Sequence, residues 1–217
     1  MFARLYLGPV SGTKLVSTSR KPKRSETTGE YGRVRPFSVF RYLDSFYRLP
    51  GTVGFKLMYS EVKRYPEVLP YLMRRRVRVV HLVRRNHLDV LLSFEVKRAL
   101  GQAHVLTTQE RPADVTVELD TDSLVKNLKR LQRKHELGRR LLRACRLRHV
   151  EVTYEDLVRD EAQFDRIRDL LGIPAAEPLP ASHIVKSRRG RQRDAIENYD
   201  HVRRALQGSE FAGLLDD

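Results

Sequence analysis

Val79–Leu100, VVHLVRRNHLDVLLSFEVKRAL, is the stretch on which the reading of this chain turns. Its apolar start belongs to a run, Val77–Val83, that has the length of a strand. The run is continuous enough to be covered on both faces, as in a central parallel strand. Arg84, Arg85 and Asn86 then form a polar turn, and His87–Leu100 reads as a helix with Leu88, Leu91, Leu92, Val96 and Ala99 on one face. Gly101 is its stop. Arg85 and Ser93 stand eight residues apart with Asp89 midway. A turn at the carboxyl end of a strand in an open α/β sheet is where ligands bind. This one offers an anion a fixed cation, a hydroxyl and helix N–H groups.

Outward from this stretch, strands alternate with helices. Phe2–Leu7, Thr52–Tyr59 (TVGFKLMY) and Arg148–Tyr154 (RHVEVTY) read as further strands. Phe37–Leu49, Pro66–Arg74, Asp122–Cys145, Asp160–Leu171 and Asp194–Leu206 carry apolar residues at helical spacing, with Gly172 ending the fourth of these. Pro174, Pro178 and Pro180 mark an extended linker. Alternation of this kind favours a parallel sheet with helices on both faces. The expected organisation is one domain, 1–217, with an atypical N-terminal segment 1–36 and a basic loop at 183–193.

The net charge is +15 over 217 residues, which selects anionic partners such as nucleotide phosphates or acidic glycans. No apolar run reaches the length of a bilayer span, and no basic start leads into a long apolar core. A transmembrane segment and a secretory leader are therefore not expected, and a cytoplasmic location is. Cys145 is alone, so no internal disulfide forms, and the His and Cys residues show no metal-ligand spacing.

Further stretches carry candidate chemistry. Gly8–Leu15 is a glycine-containing loop after the first apolar run. Its backbone N–H groups, the Ser11 and Thr13 hydroxyls and the Lys14 ammonium can cradle a phosphate or sulfate. Gly8 to Gly12 is too short for a Walker loop, which counts against a phosphotransferase using ATP and magnesium. Tyr154, followed by Glu155 and Asp156, can stack on a base. Lys186 and Arg188 lie in a basic run able to close over a phosphate. Glu30 is an acid in a basic segment and can serve as a general base.

Taken in order, VVHLVRRNHLDVLLS, VTYEDLVRD with LLGIP, IENYDHVRRAL and VGFKLMYSEV resemble the sulfotransferases that use 3′-phosphoadenosine-5′-phosphosulfate (PAPS). The likeness is greatest to bacterial carbohydrate enzymes of the trehalose and Nod-factor type, and it spans roughly residues 50–208. It implies a three-layer P-loop-like parallel sheet flanked by helices. It also implies Arg85 and Ser93 as 3′-phosphate ligands, with Lys186 and Arg188 as further phosphate contacts and Tyr154 on the nucleotide side. Ser11, Gly12, Thr13 and Lys14 are implied as the 5′-phosphosulfate loop.

That loop departs from the family pattern [KR]-S-G-[ST]-[ST]: Val10 replaces the basic residue and Lys14 occupies a hydroxyl position. Lys14 is then the expected catalytic cation, and Glu30, in TGEY, the expected base. The resemblance implies sulfuryl transfer from PAPS to a hydroxyl of a carbohydrate, glycolipid or similar acceptor, without a metal. The alternatives are a sulfotransferase-like nucleotide or partner binder with impaired catalysis, and a basic nucleic-acid-binding protein. The second lacks a recognisable recognition helix or aromatic sheet motif, so nucleic acid is not the expected partner.

Overall fold

The computed structural model describes residues 37–48, 53–100, 105–106, 115–174, 184–185 and 191–215. Phe2–Leu7, the segment 1–36 and Gly101 lie outside them. The chain divides into two compact units. One comprises the residues to Val83 together with Leu137–Pro180, and the other comprises Arg84–Glu136 together with the residues from Ala181.

In the first unit, helices α1 (Phe37–Phe46), α2 (Tyr59–Arg64) and α3 (Val68–Arg74) precede strand β1 (Val79–Val83). Strand β3 (His149–Thr153) pairs with β1 in parallel, in the register Val79–His149 through Val83–Thr153. Helices α6 (Tyr154–Arg159) and α7 (Gln163–Leu171) follow β3. Successive strand residues face opposite ways, and each face finds its own apolar cluster. Val79 packs with Leu43, Leu57, Val62, Tyr71, Leu72, Leu142 and Leu147. Val80 and Val152 pack with Ile167 and Leu170 of α7. Among the described residues the first unit is thus mixed α/β, a small two-stranded parallel sheet flanked by helices.

Two helix-to-strand turns share one construction. Val77 N–H donates to Leu72 O and Arg76 N–H to Met73 O, while Leu147 N–H donates to Leu142 O and Arg146 N–H to Arg143 O. These are Schellman endings, and they place Arg76 and Arg146 in the left-handed region with φ of 49° and 48°. Gly172, where a turn of this kind normally puts glycine, ends α7 at φ 69°.

The second unit holds α4 (His87–Ala99), β2 (Val105–Leu106), β4 (Ile184–Val185), α8 (Gln192–Ala195), α9 (Tyr199–Leu206) and a 3-10 turn, Ala212–Leu214. Helix α5 (Thr121–Ala144) begins here and ends in the first unit. Leu88, Leu92, Val96, Leu124, Leu128, Val202, Leu206 and Phe211 form the second unit's core. β2 and β4 pair antiparallel. Val117 and Ile196 make an isolated parallel bridge, which the Asn198 amide extends: Leu119 N–H donates to Asn198 Oδ1 at 3.0 Å, and Asn198 Nδ2 donates to Leu119 O at 2.8 Å.

Several expectations are corrected. TVGFKLMY is not a strand. Val53–Met58 carries no regular element, and Met58 caps a helix, its N–H donating to Glu61 Oε2 at 2.6 Å. The apolar alternation there reflects one buried side of an irregular segment. Strand β3 ends at Thr153, whose hydroxyl accepts from Asp156 N–H, so Tyr154 opens a helix instead of closing a strand. Asp160 does not start α7. Its carboxylate accepts from Ala162 N–H just before that helix. The helix expected over 194–206 breaks at Ile196–Asn198, where Ala195 O and Glu197 N–H bond the backbone of Val117 and the Asn198 side chain bonds that of Leu119. The stretch 183–193 is not loop throughout, since it contains β4 and the start of α8.

Candidate functional site

The Arg84–Asn86 turn follows the carboxyl end of β1, and its two arginines have different roles. Asn86 caps α4, accepting from Asp89 N–H at 3.0 Å. Arg84 is half-buried and its Nη2 donates to Asp89 Oδ2 at 3.1 Å. Arg85 is exposed. Gln192, fully buried, donates from Nε2 to Asp89 Oδ1 at 3.1 Å and to Leu214 O at 3.0 Å. Asn86 Nδ2 also donates to Leu214 O, at 2.8 Å. Asp89 is therefore held on both oxygens, with its charge partly compensated, and the turn is fastened to α8 and to the C-terminal 3-10 turn. A capped helix start with an ion-paired carboxylate, preceded by an exposed arginine, is suited to an anion.

Ser93, half-buried, sits one helical turn beyond Asp89 on the same face of α4. Arg85 and Ser93 thus belong to one turn–helix element, as the spacing predicts. Tyr154 is half-buried at the start of α6 in the first unit. Ser11, Gly12, Thr13, Lys14, Glu30, Lys186 and Arg188 lie outside the described residues. At the beginning of α4, His87 Nε2 and His135 Nδ1 stand 3.2 Å apart, with ring centroids 5.0 Å apart.

Sequence reasoning missed Gln192. A glutamine amid arginines reads as surface, and only the fold of the second unit brings it onto Asp89. It also missed a polar network on the Val79 face of the first unit's sheet. His81 is fully buried. Its Nε2 accepts from Tyr59 Oη at 2.7 Å and its Nδ1–H donates to Glu151 Oε2 at 3.0 Å. Arg139 grips Glu151 bidentately, from Nε and Nη2, each at 2.8 Å. This pattern satisfies every partner when the imidazole is neutral and protonated on Nδ1.

Burial pushes the His81 pKa down to about 4 against a weaker upward pull from Glu151. The Arg139 hydrogen bonds bring Glu151 down to about 2. Burial raises Tyr59 above the usual phenol range. Buried as it is, His81 orients its neighbours and cannot reach a substrate.

Among the described residues, no group of three or more His, Cys, Asp or Glu is placed to hold a metal. Among the same residues, no helix is long and apolar enough to cross a membrane. Comparison of the chain with protein-family models, curated proteins and solved structures finds no match.

Proposed function

We propose that the protein is a PAPS-dependent sulfotransferase acting on a hydroxyl of a carbohydrate, glycolipid or similar acceptor. The observation that carries the reading is Arg85, exposed on the turn after parallel strand β1, before a helix whose Asp89 is already engaged by Arg84 and Gln192. Arg84 offsets that carboxylate's repulsion of an incoming phosphate, and Arg85 leaves the turn with a net attraction for one. The same reading extends to the sheet, as a three-layer P-loop-like arrangement. It is supported by the parallel pairing of β1 with β3 and by apolar packing on both of their faces.

In this scheme Arg85 and Ser93 hold the 3′-phosphate, Lys186 and Arg188 cover it, and Tyr154 lies on the nucleotide side. Holding the donor this way orients its sulfuryl group for in-line attack. Ser11, Gly12 and Thr13 surround the 5′ side. Lys14 stabilises negative charge on the oxygen that leaves sulfur. Glu30 takes the proton of the acceptor hydroxyl.

Calorimetric titration of adenosine 3′,5′-bisphosphate against adenosine 5′-monophosphate tests the reading. We expect a clear preference for the bisphosphate, removed by Arg85→Ala. Equal binding of the two nucleotides refutes it. Glu30→Gln is expected to keep nucleotide affinity and lower turnover, and unchanged turnover dismisses Glu30 as the base.

A further inference from the structure

A second basic site lies in the first unit, at the amino end of β1. Asp44, Tyr47, Arg48, Arg75, Arg76 and Arg78 line a cavity of about 590 Å³, together with Val53, Val77 and Leu171. The volume falls within the range of small-molecule sites, roughly 300–1,000 Å³. Its charge is strongly one-sided. Asp44 is the acid among these lining residues, and it is already engaged: Tyr71 Oη and Arg75 Nη2 each donate to Asp44 Oδ1 at 2.7 Å. The Tyr71 hydrogen bond, with help from Arg75, holds the Asp44 carboxyl below its ordinary range. Arg75 therefore balances Asp44, and Arg48, Arg76 and Arg78 remain as the excess charge of the cavity.

Two of these arginines are anchored in different ways, one through its backbone and one through its guanidinium. Arg76 occupies the left-handed position of the α3–β1 turn, between the paired N–H groups of the Schellman ending. Arg78 Nη1 donates to Leu171 O at 2.5 Å, at the end of α7, which fastens the guanidinium at the cavity wall. Guanidinium groups bind the planar oxygen edges of phosphate and sulfate in pairs of parallel hydrogen bonds. Tyr47 adds an aromatic face suited to a sugar or a base.

We propose that this cavity binds a small molecule carrying at least two phosphate or sulfate groups. The proposal uses none of the residues assigned to the PAPS reading and stands apart from it.

The twin turn provides an internal control. Arg146 has the same backbone conformation and the same charge as Arg76, yet it is not among the residues lining the cavity. The full chain is titrated by calorimetry with inorganic pyrophosphate and with sucrose octasulfate at one fixed ionic strength. The tighter of the two probes tells a phosphate source from a sulfated-sugar source. We expect the double variant Arg48→Gln, Arg76→Gly to weaken that probe by about tenfold or more. Arg146→Gly should stay within about twofold of the unaltered chain. Thermal melting checks folding, and Arg76→Gly is expected to be at least as stable as the parent because glycine suits a left-handed position. Binding of neither probe overturns the proposal. So does an equal loss in Arg76→Gly and Arg146→Gly, which would reduce the effect to the overall positive field of the chain.

Discussion

His81 faces Glu151, its register partner on the adjacent parallel strand, with Nδ1 3.0 Å from Oε2. A buried imidazole held neutral between a phenol and an arginine-bound carboxylate makes the first unit sensitive to acid. The folded His81 takes a proton only at about 4, against 6.5 for an unperturbed imidazole. Between those values the unfolded chain binds a proton that the folded chain refuses, so stability falls as pH drops through this window. Glu151, down at about 2 from 4.5, adds a second contribution. That one is present above 4.5 and is lost as pH falls through about 2. His81→Gln should flatten the melting temperature between pH 6.5 and 4 and keep the decline at lower pH. An unchanged profile in the upper window would show that His81 is not the titrating group.

Gly138 lies inside α5, where alanine would ordinarily favour the helix by about 1 kcal/mol. Here a Cβ would meet Tyr59 Cε1 and Oη at 2.7 Å and His81 Nε2 at 3.0 Å. Tyr59 is held in place by its bond to His81 and cannot swing aside freely. We expect Gly138→Ala to destabilise the protein by about 1–3 kcal/mol in urea unfolding, the range for overpacking a filled site. A stabilised variant would mean that Tyr59 does not stand against this glycine.

Asn198 closes both backbone groups of Leu119. Asn198→Ala leaves the N–H and the C=O of a chain segment beside buried Leu119 without those partners, at a cost of about 2 kcal/mol. Asn198→Asp restores an acceptor for the N–H but sets a carboxylate against the carbonyl, so it should rescue less than half of the loss. Urea unfolding of the two variants checks both outcomes. Full rescue by Asp would show that the N–H bond alone matters.

Much of the strand–turn–helix over 79–100 was legible because its signals are local. The apolar run of β1 is uninterrupted except at His81, Asn86 is a strong cap, and the leucines of α4 recur at helical spacing. The paired arginines were legible as a feature but not in their division of labour. Arg84 holds one oxygen of Asp89 while Arg85 is exposed, and the other oxygen is held by Gln192, which arrives from far along the chain. TVGFKLMY misled because alternation in burial does not distinguish a strand from an irregular segment with one side against a core. The 194–206 region misled for the opposite reason. Its helical period is real, but Ile196 and Asn198 are drawn into pairing with Val117 and Leu119.

By itself the sequence determined the mixed α/β character, the parallel use of β1, the capped helix after it and the excess of positive charge. Each of these follows from the period of apolar residues or from chemistry within a few positions. Tertiary structure alone decided which polar groups meet. It set Glu151 and Tyr59 on His81, Gln192 on Asp89, and Arg48 in the same cavity as Arg76 and Arg78. Contacts between residues dozens of positions apart leave no local periodicity, because they arise only when strands pair and helices pack.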